Sequence, residues 1–405
     1  MNLSEKLKNF LNNDFLTAID EIGKSADAFG VNAYIIGGAV RDLILNKPIY
    51  DIDIVIEGNA IAFCHFMQDN KICKIKKEAQ EFCTAKTVFN NKLELDFAST
   101  RTEKYPKSGH LPVLEAIGCP LKEDILRRDF SANAIALKIN NSNFGELIDY
   151  TNGLQDIEKK ELKILHDKSF LDDPTRIIRG LRFCHKLGFK LEQKTLKLQK
   201  DYLKDFNDND ICYERIKQVT KLAFNLNSSE LIEDFIKSDI SKLLSNNLRK
   251  INAKSLHDAI NANIKHIENK NIWLIYFAAL IDKQNAEKFN LSAKEMKIIE
   301  SLEIFLNEKE TPQNNFEIYN MFKNEPIESI IAYCIFDENN NAQKYLTELK
   351  DIKPTLSGKD LLNMGFSTGN IIGKILNKLL EEKLNNNLQT KENEIAFVKK
   401  YFLWA

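Results

Sequence analysis

Proline, glycine and cysteine are scarce in this chain, whose 405 residues contain 8 prolines, 15 glycines and 7 cysteines. An odd number of cysteines with no CxxC pair indicates neither a disulfide framework nor a zinc knuckle, so we expect reduced thiols. With 43% hydrophobic and 28% charged residues, the chain is not of the low-complexity or disordered class. The composition is that of an ordinary globular protein.

Long apolar runs are missing as well. The first residues, MNLSEKLKNFLNNDF, are polar where a secretory signal peptide needs an apolar run. The longest apolar stretch, IWLIYFAALI at residues 272–281, is much shorter than the roughly 18 residues of a membrane span and suits a buried helix. We therefore expect a cytoplasmic protein with no membrane partner.

Neither sign of charge is in large excess, because the formal net charge is −1. Positive charge is nevertheless concentrated between Lys159 and Lys200, where 12 Lys and Arg accompany 5 Asp and Glu. Such a segment can neutralise the phosphates of a nucleotide or of RNA, in which case binding should weaken with salt.

The chain changes character near residue 150. Before it, strand-like runs alternate with glycine and asparagine turns, and Asn90 and Asn91 between two such runs predict a hairpin. The runs are AYIIGG, DIDIVI, TAKTVF, LELDFAS, ANAIALKI and GELIDY. Helices are expected around residues 4–28 and 59–68. After Thr151 apolar residues recur at three- and four-residue spacing, which predicts helices. The fold class is therefore α+β, an N-terminal mixed sheet with helices followed by an all-α C-terminal region.

The first constellation of candidate functional residues is the stretch IIGGAVRDLILNKPIYDIDIV. A strand-like run ends at Gly37 and Gly38 where a helix begins, so free backbone amides and the Arg41 guanidinium predict a phosphate site. On a strand, Asp51 and Asp53 would project from one face, and two such carboxylates suit Mg²⁺. Each feature alone also fits an ordinary turn or solvated charge, but their spacing within one unit favours a metal and phosphate site.

The second constellation is KEDILRRDFSANAIAL. Arg127 and Arg128 could neutralise a triphosphate, Asp129 could accept a hydrogen bond from a ribose hydroxyl, and Asn133 could help to fix the sugar. The alternative is an ion-paired helix cap in front of an amphipathic run. Without its context the stretch favours the cap.

The third constellation is DDPTRIIRGLRFCHKLGF, which predicts a helix that ends at Gly188. Arg176, Arg179 and Arg182 recur every three residues along it, with Asp173 at its head. The simpler interpretation is that Asp173 caps the helix and pairs with Arg176, while the other arginines are solvated.

A second interpretation of the same motif starts from hydrogen-bond polarity. An aspartate only accepts and an arginine only donates, so Asp173 beside Arg176 fits a ligand edge that has a donor next to an acceptor. Cytosine and adenine have that edge, whereas uracil and guanine have the opposite polarity and would leave buried groups unpaired. The pair therefore predicts selection of C and A without a template.

The three motifs, in this order, resemble those of the class II tRNA nucleotidyltransferase and bacterial poly(A) polymerase superfamily. Two weaker segments agree: YERIKQV, with Glu214 and Arg215, resembles a later neck motif, and LSGKDLLNMGFSTGNIIGKIL resembles the tail of tRNA-directed members. The likeness covers residues 30–225 well and 355–395 moderately. The family often has Glu-Asp where this chain has Asp172 and Asp173.

The resemblance implies a domain order. A nucleotidyltransferase-type catalytic head would occupy residues 1–150, a helical neck with the base-recognition motif 151–230, a helical body 231–350, and a helical tRNA-binding tail 351–405. The body contains no stretch that resembles a motif of this family.

The resemblance also implies roles for single residues. Asp51 and Asp53 would be catalytic and bind Mg²⁺, and Asp173 and Arg176 would recognise the base edge. The other implied nucleotide contacts are Gly38, Arg41, Arg128, Asp129, Arg179 and Arg182. The motifs themselves add Gly37 and Asn133 to the predicted nucleotide-binding residues. The implied reaction adds C, C and A to the 3′ end of tRNA from CTP and ATP, with release of pyrophosphate. The sequence does not place Asp96, a candidate third carboxylate, or predict the oligomeric state.

Several alternatives stay open. Within the superfamily they are addition of A only, addition of CC only, and poly(A) synthesis, although the chain lacks the LVGRRFRL-like stretch typical of bacterial poly(A) polymerases. A metal phosphohydrolase of the His-Asp type is suggested by His166-Asp167 and His257-Asp258, but the six histidines are widely scattered. An inert RNA-binding protein on the same scaffold would not need both Asp51 and Asp53.

Overall fold

The computed structural model describes residues 1–107, 109–207, 211–267, 271–308 and 311–402. The chain divides into two units, Met1–Val219 and Thr220–Ala405. The first unit contains the sheet and the described part of the second is helical, which confirms the predicted α+β class. The finer division into head, neck, body and tail stays a prediction. Across the described ranges, no helix is both long and apolar enough to cross a membrane.

The described strands all belong to the first unit. In chain order they are β1 (Asn32–Ile36), β2 (Asp53–Glu57), β3 (Cys73–Ala79), β4 (Thr84–Phe89), β5 (Glu94–Ser99), β6 (Arg101–Lys104), β7 (Val113–Ile117), β8 (Ile135–Lys138), β9 (Leu147–Asp149), β10 (Glu161–Leu162) and β11 (Lys190–Leu191). Seven of them form one mixed sheet in the order β3-β4-β5-β2-β1-β8-β9, while β6 pairs with β7 and β10 with β11. In the large sheet β2 and β5 are parallel, and the other neighbours are antiparallel.

One row of directly opposed residues crosses the large sheet. From β3 to β9 the row consists of Lys77, Lys86, Asp96, Asp53, Ile36, Ala136 and Ile148. Because side chains alternate between the faces of a strand, every member projects from the same face. Ala85, Phe97 and Ile54 project from the opposite face and are buried. The row is therefore charged on β3, β4, β5 and β2 and apolar on β1, β8 and β9.

The helices begin and end at local signals. They are α1 (Ser4–Phe10), α2 (Asn13–Phe29), α3 (Gly38–Ile44), α4 (Ala60–Asp69), α5 (Leu121–Leu126), α6 (Gly153–Glu158), α7 (Ser169–Asp172), α8 (Thr175–Leu187), α9 (Gln193–Lys204), α10 (Tyr213–Phe224), α11 (Ser229–Lys237), α12 (Ala253–Asn263), α13 (Ile272–Leu280), α14 (Lys283–Ala286), α15 (Ala293–Asn307), α16 (Asn315–Phe322), α17 (Ile327–Tyr333), α18 (Asn341–Lys344), α19 (Gly358–Asn363), α20 (Asn370–Leu384) and α21 (Lys391–Phe402). The Asn12 side chain accepts a hydrogen bond from the Phe15 amide at the start of α2. Gly188 ends α8 in the left-handed conformation, as predicted.

Helices cover the two faces of the large sheet unequally. On the buried face α4 packs through Phe63, whose ring lies 6.1 Å from that of Phe97. On the other face Leu121 and Ile125 of α5 pack in a cluster that includes Ile36 of β1. That cover reaches β1 and β2, whereas Asp96 on β5 and Lys77 on β3 stay exposed and Lys86 on β4 is half-buried. Asp53 therefore lies between the covered and open parts of this face.

The local predictions were partly confirmed. The six strand-like runs correspond to β1, β2, β4, β5, β8 and β9, and Asn90 and Asn91 lie in the hairpin between β4 and β5. The sequence missed β3 because its residues, CKIKKEA, carry the charge that is common on an edge strand and hides the apolar alternation. It also missed the β6–β7 pair. The helical structure expected around residues 4–28 is present as two helices, since Leu11 and Asn12 separate α1 from α2.

The second unit is built from helices alone within its described residues. Every residue of α13, Ile272–Leu280, is buried, as its uninterrupted apolar run predicts. Farther along, the buried Glu394 carboxylate accepts hydrogen bonds from the backbone amides of Thr355 and Leu356 and from Lys383. Burial acts against ionisation, but these bonds hold the pKa of Glu394 below its ordinary value. A charged group therefore fixes the segment before α19.

The fit of α2 against the sheet can be tested at Gly23. A Cβ atom at this position would lie 2.2 Å from the carbonyl oxygen of Ile139. We expect Gly23→Ala to lower the free energy of unfolding of the first unit by about 1–3 kcal/mol through overpacking, measured by urea unfolding. Gly373→Ala in α20 is the control, since nothing lies within 4 Å and helix propensity favours alanine. Equal stability of Gly23→Ala and the wild type would contradict the close approach.

Candidate active site

A cavity of about 340 Å³ in the first unit brings the three sequence motifs together. It is lined by ten of the twelve predicted site residues: Gly37, Gly38, Arg41, Asp53, Arg128, Asp129, Asn133, Asp173, Arg176 and Arg179. Tyr105, Arg127 and Phe183 also line it, whereas the predicted Asp51 and Arg182 do not. Residues that are far apart in sequence thus surround one space of roughly nucleotide size.

The turn from β1 to α3 forms one wall of the cavity. Gly37 has φ +79° and ψ −130°, a conformation that side chains rarely adopt, and α3 begins at the next residue. A Cβ on Gly37 would lie 3.8 Å from the Nη1 atom of Arg128. The glycine therefore lets the backbone turn tightly into a helix and keeps the Arg128 guanidinium close to it.

A chain of hydrogen bonds links Arg41 to Arg179 behind the cavity. The buried Arg41 donates to Asp42 at 2.7 Å and to the Asn133 side chain at 2.5 Å, and Asn133 donates to Asp129 at 3.2 Å. Arg179 binds the other oxygen of Asp129 through Nε, at 3.0 Å, and through Nη2. Burial acts against it, but the Arg179 charge holds the pKa of Asp129 below its ordinary value. Asp129 is thus an ionised partner of Arg179.

The two neighbouring arginines of the second motif have different surroundings. The completely buried Asp124 accepts from Arg127 at 2.6 Å and from Arg128 at 2.9 Å. Arg127 uses its remaining nitrogen for Glu103, at 3.2 Å. For Arg127 the structure therefore favours the ion-paired alternative over a triphosphate contact. The Nη1 atom of Arg128 lies close to Gly37 instead and is available to a ligand.

The head of α8 holds the Asp173 carboxylate in place. One oxygen accepts from the Thr175 amide at 3.1 Å and from the Thr175 hydroxyl at 2.6 Å, so Asp173 caps the helix as predicted. The expected pairing of Asp173 with Arg176 was wrong, because the other oxygen accepts from Arg215 of α10 at 2.6 Å. Arg215 also binds the carbonyls of Gly109 and His110 at 3.2 and 3.0 Å.

The Arg176 guanidinium is held by its own partners. It is buried and donates to the Ser169 hydroxyl at 2.6 Å, to the Arg127 carbonyl at 2.8 Å and to the Tyr105 hydroxyl at 3.3 Å. His166 lies 3.5 Å away, and burial together with the Arg176 charge lowers its pKa. Asp173 and Arg176 are therefore fixed independently of each other.

The outermost arginine of the α8 stripe lies beside the cavity. The Nε atom of Arg182 is buried and has no hydrogen-bond partner among the described residues. Burial, together with the charges of Arg179 and Arg41, lowers the Arg182 pKa. The Phe183 ring lies 5.4 to 5.5 Å from the guanidinium carbons of these three arginines and offers them a cation–π contact.

Carboxylates gather at the edge of the cavity where β2 begins. The prediction that Asp51 and Asp53 share a strand was wrong, since β2 starts at Asp53 and Asp51 precedes it. Asp96, which the sequence did not place, lies directly opposite Asp53 on β5. Solvent reaches Asp53, but its partial burial raises the pKa of the carboxyl group. The negative charges of Asp96 and Asp51 also raise this pKa, whereas the positive charge of Arg128 lowers it.

This excess negative charge fits a divalent cation. Mg²⁺ takes one or two carboxylates and leaves its other positions to water and phosphate oxygens. Within the described ranges, no group of three or more His, Cys, Asp or Glu side chains is arranged so that it could hold a metal ion. The His-Asp dipeptides make other contacts, since Asp167 pairs with Lys194 and His257 contacts the Tyr276 hydroxyl.

Four residues that the motifs left unassigned support the site. Asp124 could have been found from its place three and four residues before Arg127 and Arg128, a spacing that favours ion pairs on a helix. Arg215 lies in the neck segment quoted above, but nothing local indicates its partner. Tyr105 and Phe183 carry no local signal, because their contacts depend on tertiary structure.

Comparison with known proteins supports an enzymatic site. Residues 33–163 match the family model described as the poly A polymerase head domain. The chain is 28% identical to the A-adding tRNA nucleotidyltransferase of Halalkalibacterium halodurans, over 99% of this chain and 96% of the relative. It is 26% identical to the CCA-adding enzyme of Pediococcus pentosaceus, over 93% of this chain and 96% of the relative. A Geobacter sulfurreducens A-adding tRNA nucleotidyltransferase is 30% identical over 93% of this chain, which matches only 46% of that relative's length.

Solved structures show the same likeness. An apo form of a CCA-adding enzyme is similar with a TM-score of 0.77 and 26% identity, covering 99% of this chain and 97% of the other. A CCA-adding enzyme in complex with ATP is similar with a TM-score of 0.78 and 25% identity, covering 99% and 98%. By its fold and by these relatives the protein is therefore a nucleotidyltransferase. More narrowly, the family-model match and the names of the relatives confirm the resemblance to tRNA nucleotidyltransferases and bacterial poly(A) polymerases seen in the sequence.

The buried Asp124 gives a prediction about stability and its dependence on pH. We expect Asp124→Asn to lower the free energy of unfolding by about 3–5 kcal/mol at pH 7, because it removes the carboxylate that pairs with Arg128 and leaves Arg127 with Glu103 alone. Despite burial, the two arginines lower the pKa of Asp124. Its contribution is therefore complete above pH ~4 and is lost as the pH falls through the lowered pKa.

Urea unfolding at several pH values between about 3 and 7 measures the difference in free energy of unfolding between the wild type and Asp124→Asn. This difference should become smaller toward pH 3. Asp20→Asn is the control, because Asp20 forms an exposed pair with Lys24 that should contribute little to stability. An Asp124→Asn variant as stable as the wild type at pH 7 would contradict a stabilising role for the buried pair.

Proposed function

We propose that this chain adds C, C and A to the 3′ end of tRNA from CTP and ATP, with release of pyrophosphate. The observation that carries the proposal is that ten residues from three separate motifs line one cavity. The relatives support tRNA as the acceptor, since they are named A-adding tRNA nucleotidyltransferase and CCA-adding enzyme. Solved CCA-adding enzymes in complex with ATP and with CTP support these nucleotides as substrates.

Asp51 and Asp53 are the proposed catalytic carboxylates. Nucleotidyltransferases of this superfamily generally use a divalent metal ion, and Mg²⁺ fits ligands of this kind. When bound, the ion would activate the RNA 3′ hydroxyl and neutralise charge on the α-phosphate. Asp96 is a further candidate ligand because it lies opposite Asp53 in register.

The triphosphate would be held by the turn at Gly37 and Gly38 and by Arg128. Backbone amides and a guanidinium stabilise the charge that develops on the pyrophosphate as it leaves. Arg41 and Arg179 add positive potential, although each already has an acidic partner. The protein would thus act mainly by positioning the substrates and neutralising their charge.

Base selection would rest on Asp173 and Arg176. Thr175 and Arg215 hold the carboxylate, while Ser169 and other partners hold the guanidinium. An acceptor and a donor that are fixed before the nucleotide binds match the amine and ring nitrogen of cytosine or adenine. Uracil and guanine would leave the same groups unpaired in a buried site.

Addition of A alone is the second candidate, and one observation favours it. Relatives named A-adding tRNA nucleotidyltransferase match between 88% and 99% of this chain at 28% to 31% identity. Because adenine and cytosine present the same edge to Asp173 and Arg176, the base-recognition pair does not distinguish the candidates. A direct assay is therefore needed.

The assay presents Mg²⁺, each labelled nucleoside triphosphate, and tRNA that ends before CCA, after C or after CC. Incorporation of C, C and A onto the first tRNA supports the proposal, and A onto the third alone supports the second candidate. Long A tails on any RNA would indicate poly(A) synthesis. We expect Asp53→Ala to lower transfer by at least about a hundredfold with an unchanged melting temperature. Full activity of this variant would contradict the proposed site.

Selectivity for the base is tested at Asp173 and Arg176. We expect Asp173→Ala and Arg176→Ala to reduce the preference for CTP and ATP over UTP and GTP by about 10–100-fold in kcat/KM, because an unpaired polar group no longer penalises the wrong base. Arg128→Ala is the comparison, since it should raise KM for all four nucleotides alike. Unchanged exclusion of UTP and GTP would show that the pair does not select the base.

A further inference from the structure

Tyr105 lines the candidate nucleotide cavity but has no role in the function proposed above. It directly follows β6, and its side chain is half-buried. Its hydroxyl oxygen accepts a hydrogen bond from the Nη2 atom of Arg176 at 3.3 Å. The tyrosine therefore lies beside a residue that is proposed to recognise the base edge.

The guanidinium of Arg176 has few donors left for a ligand. Its Nη1 atom donates to the Ser169 hydroxyl and lies 3.5 Å from His166. Its Nη2 atom donates to the Arg127 carbonyl and to the Tyr105 hydroxyl. The Nε atom donates to no residue in the described part of the chain. Nε is therefore the donor of Arg176 that a ring nitrogen of the base can use.

The shape of the guanidinium places Tyr105 next to that ring nitrogen. Because the group is planar and rigid, Nε and Nη2 donate side by side. A ring nitrogen bound to Nε therefore lies beside the two groups that Nη2 holds, the Arg127 carbonyl and the Tyr105 hydroxyl. A carbonyl only accepts, whereas a hydroxyl that accepts from Arg176 still has its own hydrogen to donate. Tyr105 thus offers a further donor at this place.

The Tyr105 hydroxyl keeps that hydrogen at neutral pH. Burial raises the pKa of Tyr105 above its ordinary value, and the charges of Glu103 and Asp173 add to this effect, which the Arg176 charge opposes. A tyrosine with a raised pKa is neutral throughout the range in which most enzymes work. Among the described residues none accepts a hydrogen bond from this hydroxyl, so its hydrogen is available to a ligand.

Cytosine and adenine differ beside the ring nitrogen that Arg176 would bind. On one side of it both bases have an amine, which suits the Asp173 carboxylate. On the other side cytosine has the O2 carbonyl, which is an acceptor, whereas adenine has a C2–H group. An acceptor followed by two donors therefore matches cytosine at three positions and adenine at two.

We propose that Tyr105 favours CTP over ATP by donating a hydrogen bond to O2 of cytosine. Asp173 accepts from the amine, and Arg176 donates to the ring nitrogen. With adenine the hydroxyl hydrogen rotates toward solvent, so it contributes nothing to ATP binding. The inference rests on the proposed function, in which one pair of residues recognises both bases, and it assigns the distinction between them to a third residue.

The test is Tyr105→Phe, which removes the hydroxyl and keeps the ring. Dissociation constants are measured by titration calorimetry with CTP and with ATP in the presence of Mg²⁺. We expect the constant for CTP to rise by about threefold to tenfold, as for the loss of one hydrogen bond, and the constant for ATP to stay within twofold. Tyr150→Phe is the matched control, since it removes the hydroxyl of an exposed tyrosine in the same unit and should change neither constant.

A second probe leaves the protein unchanged. In 2-thio-CTP a sulfur atom, which is a weaker acceptor than oxygen, replaces O2 of cytosine. The wild type should bind it about threefold to tenfold more weakly than CTP, whereas Tyr105→Phe should bind the two nucleotides alike.

Two results would overturn the inference. An equal loss of CTP and ATP binding in Tyr105→Phe would show that the tyrosine only supports Arg176. An unchanged dissociation constant for CTP in this variant, with 2-thio-CTP bound as tightly as CTP by the wild type, would show that O2 receives no hydrogen bond from Tyr105.

Transfer assays separate this inference from the proposed function. In Tyr105→Phe we expect KM for CTP on tRNA that ends before CCA to rise by the same factor as the dissociation constant. KM for ATP on tRNA that ends after CC, and kcat for both steps, should stay within twofold of the wild type. A wild type that transfers nothing would refute the proposed function, while calorimetry would still test Tyr105. Normal wild-type transfer with an unchanged KM for CTP in Tyr105→Phe would refute the inference alone.

Discussion

The buried Asp124 carboxylate makes the contact on which the rest of the site depends. It holds the guanidiniums of Arg127 and Arg128 with its two oxygens, and without it Arg128 would lose this partner and Arg127 would keep only Glu103. Because Arg127 is fixed, its carbonyl can accept from Arg176, the proposed base-recognition residue. Because Arg128 is fixed, its free nitrogen stays beside the Gly37 turn. One carboxylate thus supports both the base end and the phosphate end of the cavity.

The site combines buried arginines with acidic partners and leaves some positive charge unmatched. Arg41 and Arg179 are each paired, to Asp42 and Asp129. Arg182 is different, since burial and its cationic neighbours lower its pKa. Local excess of positive charge suits a site for a triphosphate, because a polyanionic ligand supplies the missing counter-charge. The carboxylates at the start of β2 have the opposite excess, which suits a divalent cation.

Asp53 lies at the boundary between the covered and the open part of one face of the sheet. On one side of it α5 and β1 close the face, and on the other side the face is open as far as Lys77 on the edge strand. The arrangement follows from the strand order, in which β2 lies between the covered β1 and the exposed β5.

The sequence by itself determined the α+β class, six strands of the large sheet and the residue types of the site. Residue spacing and hydrogen-bond polarity are properties of short motifs and do not depend on tertiary structure. Tertiary structure decided which partner each charged residue has. Asp173 caps α8 as its motif predicts, but its second oxygen binds Arg215, and the adjacent Arg127 and Arg128 face different partners. Asp96 joins Asp53 only through the pairing of β5 with β2. Short motifs fix local geometry, whereas ion pairs between distant segments depend on how strands and helices pack.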